Sequence, residues 1–294
     1  MKDEAGAPGS FAGLSLSRPR VIGIVNVTPD SFSDGGETLA YDDAIRRGRR
    51  MLADGADILD VGGESTRPGA KPVDAATEIT RVVPVIEALA GEGAPISIDT
   101  RHAPVMAAAI AAGARIVNDV TALTGDPESL KLVAAADVLV VLMHMLGEPG
   151  TMQDDPRYDD AARDVFHYLK GRVAACEKAG IARHRIAVDP GIGFGKTVDH
   201  NLRILNRLDL YRDLGCPLLI GLSRKSFIAR LSRGEPPKER LAGSITAALA
   251  ALQAGVRLFR VHDVAETVQA FKVWQAVEVG GNGTGEISSD TPVR

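Results

Sequence analysis

Polar side chains follow one apolar run after another along this 294-residue chain. Asn26 ends VIGIVN, GGESTR (62–67) follows ADILDV, Asp99 ends APISID, and Asn118 lies in ARIVND. His144 ends DVLVVLMH, Asp189 ends RIAVD, SRKS (223–226) follows PLLIGL, and Arg260 with His262 ends VRLFRVH. Ionised carboxylates and amides hold polar ligand edges, and Lys, Arg and His⁺ hold anions. Any one of these residues is as readily a helix cap. A coincidence of caps does not account for all eight ends.

Four loops add detail. VTPDSFSDGGE (27–37) is too long for a tight connection and is a candidate lid. GGESTRPGAKP (62–72) is of the same kind, and its Arg67 has the fork that grips a carboxylate or phosphate. DPGIGFGK (189–196) lacks the spacing of a nucleotide phosphate loop, so its glycines point to a tight turn or a close approach to a flat ligand. SRKSFI (223–228) opens a helix with basic residues, which makes an anion site around Lys225. The six histidines (102, 144, 167, 184, 200 and 262) show no paired ligand spacing, so no zinc site is expected. Cys176 reads as a core residue.

The elements that must position these groups are short and regular. The apolar runs 21–26, 56–61, 94–99, 114–119, 137–144, 185–189, 217–222 and 256–262 alternate little, as parallel strands covered on both faces do. Helix-period segments separate them. In 41–54, Ala44, Ile45, Gly48, Met51 and Leu52 fall on one stripe, and 158–179 repeats the pattern. Gly55, Gly113, Gly180, Gly215 and Gly255 each mark a helix end. Pro84 predicts a kink or early break in 75–90. Eight strands alternating with helices predict an α/β fold, a single (β/α)₈ TIM barrel over 20–279, in preference to an open doubly wound sheet. An N-terminal extension (1–19) and a C-terminal tail (280–294), rich in Gly, Ser, Thr and Asp, are expected to be disordered.

Composition narrows the function. Hydrophobic residues are 45% and charged residues 24%, as in ordinary globular proteins. A net charge of −4 with 4% aromatics excludes a general nucleic-acid binder. No run is long enough to span a membrane. The first residues carry Asp3 and Glu4 and no apolar core, so no secretory signal is expected. Two cysteines build no disulfide framework, which suits a reducing, cytoplasmic location.

Together, NVTPDSFSDGG (26–36), DVGGESTRPGA (60–70), SIDT (97–100), VNDV (117–120), MHM with TMQ (143–145, 151–153), DPGIGFGKT with HNL (189–197, 200–202), GLSRKSFI (221–228) and RVHDV (260–264) resemble the dihydropteroate synthase family over roughly 20–277. The resemblance implies a transferase of folate biosynthesis, the step sulfonamides inhibit. It joins 6-hydroxymethyl-7,8-dihydropterin diphosphate to 4-aminobenzoate with Mg²⁺. It also implies roles. Asn26 holds Mg²⁺ with the diphosphate; Asp99, Asn118 and Asp189 hold the pterin, with Lys225 nearby. Arg260 and His262 take the diphosphate, and Thr66 contacts substrate. Arg67, Pro68, Phe194 and Ser226 form the 4-aminobenzoate side, and Phe32 and Asp34 close over the site. Asp99, Asp189, Lys225, Arg260 and His262 are the implied catalytic set. A homodimer with small-molecule substrates, and without nucleic-acid or membrane partners, is the further implication.

Two departures stand out. RHAP follows SIDT where many members carry Lys-Pro, and Leu146 stands where a basic residue is common. Two other readings are a methyltetrahydrofolate:corrinoid methyltransferase, which has no use for a diphosphate clamp, and a non-catalytic pterin-binding paralogue. The resemblance favours the synthase, with C–O cleavage running ahead of attack by the amine.

Overall fold

Valine, isoleucine and leucine dominate eight short segments, and each forms a parallel strand. The computed structural model describes residues 9–27, 36–65 and 72–281, with the side chains of 36–40 and 279–281 excluded. The strands are β3 (Arg20–Asn26), β4 (Ile58–Gly62), β5 (Ile96–Asp99), β6 (Ile116–Asp119), β7 (Leu139–Met143), β8 (Ile186–Asp189), β9 (Leu219–Ile220) and β10 (Leu258–Val261). Between them run α1 (Gly36–Ala53), α2 (Ala75–Leu89), α3 (Ala103–Ala111), α4 (Ser129–Ala135), α5 (Ala161–Lys178), α6 (Val198–Leu205), α7 (Ser226–Leu231) and α8 (Leu241–Gln253); α9 (Val264–Gly281) ends the described chain.

The strands pair in the order β8-β7-β6-β5-β4-β3-β10-β9. A parallel bridge between Val188 and Leu218, with the Val188 N–H donating to Pro217 O at 2.9 Å, brings β8 back to β9. The sheet is therefore a barrel and not an open doubly wound sheet. β9 keeps only Leu219–Ile220 of its apolar run, and Pro217 at the start of that run has no N–H to give the ladder.

Alternation along each strand sorts the residues. Val21, Leu59, Val61, Ile98, Val117, Val140, Leu142 and Val188 belong to the layer packed with the helices. Ile22, Ile58, Ile116, Val141, Ala187, Leu219 and Leu258 cluster separately inside the barrel. Two residues further along the same strands, and so on the same inward face, come Asp60, Asn118, Asp189 and Arg260. The interior is thus apolar below and ionic above.

Residues 9–19 differ from the expected disordered extension. β1 (Ser10–Phe11) and β2 (Leu14–Ser15) form an antiparallel hairpin. Its turn residues Ala12 and Gly13 have φ of 52° and 74°, the left-handed pair a tight two-residue turn demands. Phe11 and Leu16 join the inner apolar cluster and floor the barrel. Arg18 and Arg20 bind Asp57 at 2.6 and 2.8 Å, fixing this segment to the approach to β4. Residues 1–8 and 282–294 lie outside the described part; the barrel's last helix runs two residues beyond the expected boundary at 279.

α2 continues through Pro84, so of the kink or early break expected there the break does not occur. Val82, Val85, Ile86 and Leu89 are fully buried on either side of it, so packing outweighs the one lost backbone bond. The five glycine stops all have positive φ, although Gly215 closes a 3₁₀ turn (Leu208–Leu214) and not an α-helix. Cys176 and Cys216 are buried free thiols, and burial pushes each up to about 11.

Candidate active site at the barrel mouth

The upper inward layer is a linked set of charges. Arg260 Nε donates to Asp60 Oδ2 at 2.6 Å and its Nη2 to Asp99 Oδ2 at 2.6 Å. Asn118 Nδ2 donates to the same Asp60 oxygen at 3.1 Å. Strand register explains the meeting: Asn26 pairs with Gly62, Gly62 with Asp99, and Asp99 with Asn118, so one level carries polar groups from β3, β5 and β6. One guanidinium therefore serves two buried carboxylates. Burial raises Asp99 to about 7, and the Asp60 charge adds to this while Arg260 opposes it. Burial pulls Arg260 down, but Asp60 and Asp99 outweigh it and hold the guanidinium above its ordinary range. Among the described residues, Asp60 Oδ1 and Asp99 Oδ1 are buried acceptors with no hydrogen-bond donor.

Opposite this set stands Asp189, 5% exposed, whose Oδ1 accepts the Gly191 N–H at 2.7 Å. Burial raises its carboxyl, against the pull of Lys225. Lys225 Nζ donates to Ile192 O and lies 4.6 Å over the Phe194 ring. Burial lowers Lys225 to about 8, with Asp189 opposing.

The β9 and β10 exits complete the rim. His262 N–H donates to Ser223 Oγ at 3.2 Å, and its Nδ1 lies 3.1 Å from the same oxygen. Arg224 has φ of 62°, an unfavourable left-handed conformation for a residue with a Cβ. Its N–H bonds Ser244 Oγ at 2.9 Å, its carbonyl accepts from Arg240 at 2.8 Å, and its guanidinium pairs with Asp263. These contacts hold the strained turn that aims Lys225 inward and starts α7 at the exposed Ser226.

Asn26 ends β3 at the same rim, with Arg47 donating to its carbonyl at 3.0 Å. Thr66, Arg67, Pro68, Phe32 and Asp34 lie outside the described residues. Beside the β4 exit, Glu64, Glu78 and His102 place potential ligand atoms within 4.8 Å of one another. Arg101 forks onto Glu64 at 3.1 and 3.2 Å, and His102 Nδ1 meets Glu78 at 2.8 Å, so these groups bind one another and anchor α2 and α3.

The structure thus brings Asp99, Asn118 and Arg260 into one bonded set and Asp189, Lys225 and Phe194 into another, with Asn26, Ser226 and His262 on the rim. Three contributors were missed in the sequence. Asp60 carried a signal: it is the one ionisable residue within the otherwise apolar ILDVG of β4. Ser223 and Lys196 lay in quoted motifs without an assigned role.

A closed eight-strand α/β barrel with buried acids and bases at its mouth has the architecture of an enzyme of the barrel class. The model of the family described as pterin binding enzyme matches residues 22–262. Dihydropteroate synthase of Escherichia coli (strain K12) is 47% identical over 264 residues, spanning 90% of this chain and 93% of that protein. The Xanthomonas albilineans dihydropteroate synthase solved with 4-aminobenzoic acid is 51% identical, with a TM-score of 0.85, covering 90% of this chain and 95% of that one. A structure of the X. albilineans enzyme with 7,8-dihydropteroate has a TM-score of 0.80 at 45% identity, with coverage of 90% and 95%. Within the pterin-binding class, this chain belongs to the dihydropteroate synthase family.

Proposed function

We propose that this chain condenses 6-hydroxymethyl-7,8-dihydropterin diphosphate with 4-aminobenzoate, giving 7,8-dihydropteroate and diphosphate. The observation that carries the reading is the pair of donorless buried oxygens, Asp60 Oδ1 and Asp99 Oδ1. A buried acceptor left unsatisfied costs about 1–3 kcal/mol. The pterin's amino-pyrimidine edge presents adjacent N–H donors of the kind these oxygens, Asn118 and Asp189 need. A ring without those donors leaves the acids unpaired, which makes the pocket selective.

The bond that breaks joins the pterin methylene carbon to the diphosphate oxygen, and its electron pair leaves with the diphosphate. In our reading cleavage runs ahead of attack. Asp99 and Asp189 face the positive charge that spreads into the pterin. Lys225 turns from the Ile192 carbonyl to the departing anion, joined by His262 and by Nη1 of Arg260. The aniline nitrogen of 4-aminobenzoate then bonds to the methylene carbon and releases its proton to solvent. Its lone pair is already free, so no strong base is required. Phe194 and Ser226 form the 4-aminobenzoate side in this reading, and the family resemblance assigns Thr66, Arg67, Pro68, Phe32 and Asp34 to substrate as well.

The donor set fits Mg²⁺. Asn26 offers a neutral amide oxygen at the rim, and Mg²⁺ prefers one or two protein oxygens together with substrate phosphates and water. Bound there, Mg²⁺ would neutralise charge on the leaving group. We also propose a cytoplasmic homodimer, supported by two free buried thiols and by the exposed Val273 and Val277 on α9.

The test is direct. The two substrates with Mg²⁺ should yield one diphosphate per dihydropteroate. Asp189→Ala and Lys225→Ala should each lose at least about a hundredfold in kcat/KM while staying folded. Absence of diphosphate release, or methyl transfer to a cobalamin acceptor, overturns the proposal; near-normal turnover in either variant removes the assigned pocket.

A further inference from the structure

Lys196 is 3% exposed, yet its ammonium nitrogen is engaged on three sides. It lies 2.9 Å from His144 Nδ1, 3.2 Å from His144 O and 2.9 Å from Phe194 O. Burial, with the Lys225 charge beside it, holds the amine well below the ordinary lysine range, and its contacts are a histidine nitrogen and two carbonyl oxygens. They join two segments of the mouth: His144 at the exit of β7, and the loop after β8 that carries Phe194.

The same two segments are pressed together along their length. A Cβ at Gly191 would stand 1.9 Å from His144 O, and one at Gly195 2.4 Å from Leu146 O; both glycines have positive φ. Gln153 Nε2 donates to Gly193 O at 2.6 Å, and the Tyr158 hydroxyl to Gly195 O at 2.7 Å. Lys196 is the contact that reaches the Phe194 peptide itself. Phe194 and Ile192 in turn define the seat of Lys225, which lies over the one ring and donates to the other's carbonyl.

We infer that Lys196 is a positioning residue for the reaction: by tying the β8 exit loop to the β7 exit it sets where Phe194 and Lys225 stand. Its nitrogen is spent on protein groups, so it acts through those residues and touches no substrate. The inference rests on the proposed condensation, with Phe194 on the 4-aminobenzoate side.

The experiment uses the full chain and Lys196→Met, which keeps the side-chain length and removes every donor. Methionine leaves His144 Nδ1 and the His144 and Phe194 carbonyls without the Lys196 donor, so the variant should fold but unfold below the wild-type Tm. KM for 4-aminobenzoate should rise about tenfold and kcat should fall, while KM for the pterin diphosphate moves less than about threefold. A crystal structure of the variant should show the Phe194 ring displaced from Lys225. In a Phe194→Ala background, Lys196→Met should raise the 4-aminobenzoate KM by no more than about twofold, because coupled residues are not additive. Wild-type kinetics in Lys196→Met, or full additivity with Phe194→Ala, overturns the inference. If Lys196→Met does not fold, Lys196→Gln carries the same readouts. Wild-type turnover in the same assay separates failure of this inference from failure of the proposed function, and the displaced ring is read without any turnover.

Discussion

Arg260→Gln tests the charge balance of the mouth. The guanidinium sits 2.6 Å from both Asp60 and Asp99, which are 1% and 8% exposed. Removing one partner of a buried ion pair costs about 3–5 kcal/mol, and here two carboxylates lose the same cation. At roughly 2–4 °C per kcal/mol, Tm should fall by about 10–20 °C at pH 8. The sign of the pH dependence follows from Asp99, raised to about 7 mainly by burial even with Arg260 opposing. Without Arg260 it rises further, while the unfolded chain keeps an ordinary carboxyl. A group with a raised folded pKa gives its full stability below the unfolded pKa and loses it as pH rises through the folded one. The deficit should therefore be small near pH 5 and largest at pH 8. Adding Asp99→Asn to Arg260→Gln removes one of the stranded charges and should recover about half of the loss. Scanning calorimetry of the wild type and both variants at the two pH values reads all of this. A deficit below about 1 kcal/mol, or one that does not change with pH, refutes the reasoning.

Two further outcomes are expected. Burial brings Lys225 to about 8, so the cation that meets the leaving group is lost as pH rises through that value. kcat should decline on this alkaline limb, and Lys225→Arg should move the limb beyond about pH 9.5; an unmoved limb contradicts the role. Phe11→Ala opens the floor of the barrel, where Phe11 is 2% exposed, and should cost about 3–5 kcal/mol in urea unfolding with KM for both substrates unchanged. A loss under about 1 kcal/mol shows that the hairpin is not part of the core.

Parallel strands buried on both faces advertise themselves as unbroken aliphatic runs, which is why all eight barrel strands were legible. The residues just beyond those runs then marked the mouth. What stayed hidden has physical causes. The floor hairpin has two-residue strands, too short to show any period. Pro84 was read by its lost hydrogen bond, whereas the buried side chains around it decide the helix. Asp60 and Arg260 are 200 residues apart, and only barrel closure makes them partners. Lys196 gave no hint of its burial, because its partner His144 is 52 residues away and only the fold brings the two together.

The most direct test of the central claim is a crystal structure with the pterin diphosphate, 4-aminobenzoate and Mg²⁺. The account predicts the pterin edge against Asp99, Asn118 and Asp189, with the diphosphate toward Lys225 and His262. It also predicts 4-aminobenzoate between Phe194 and Ser226. A pterin bound away from those carboxylates, or a diphosphate on a different face of the barrel, contradicts it.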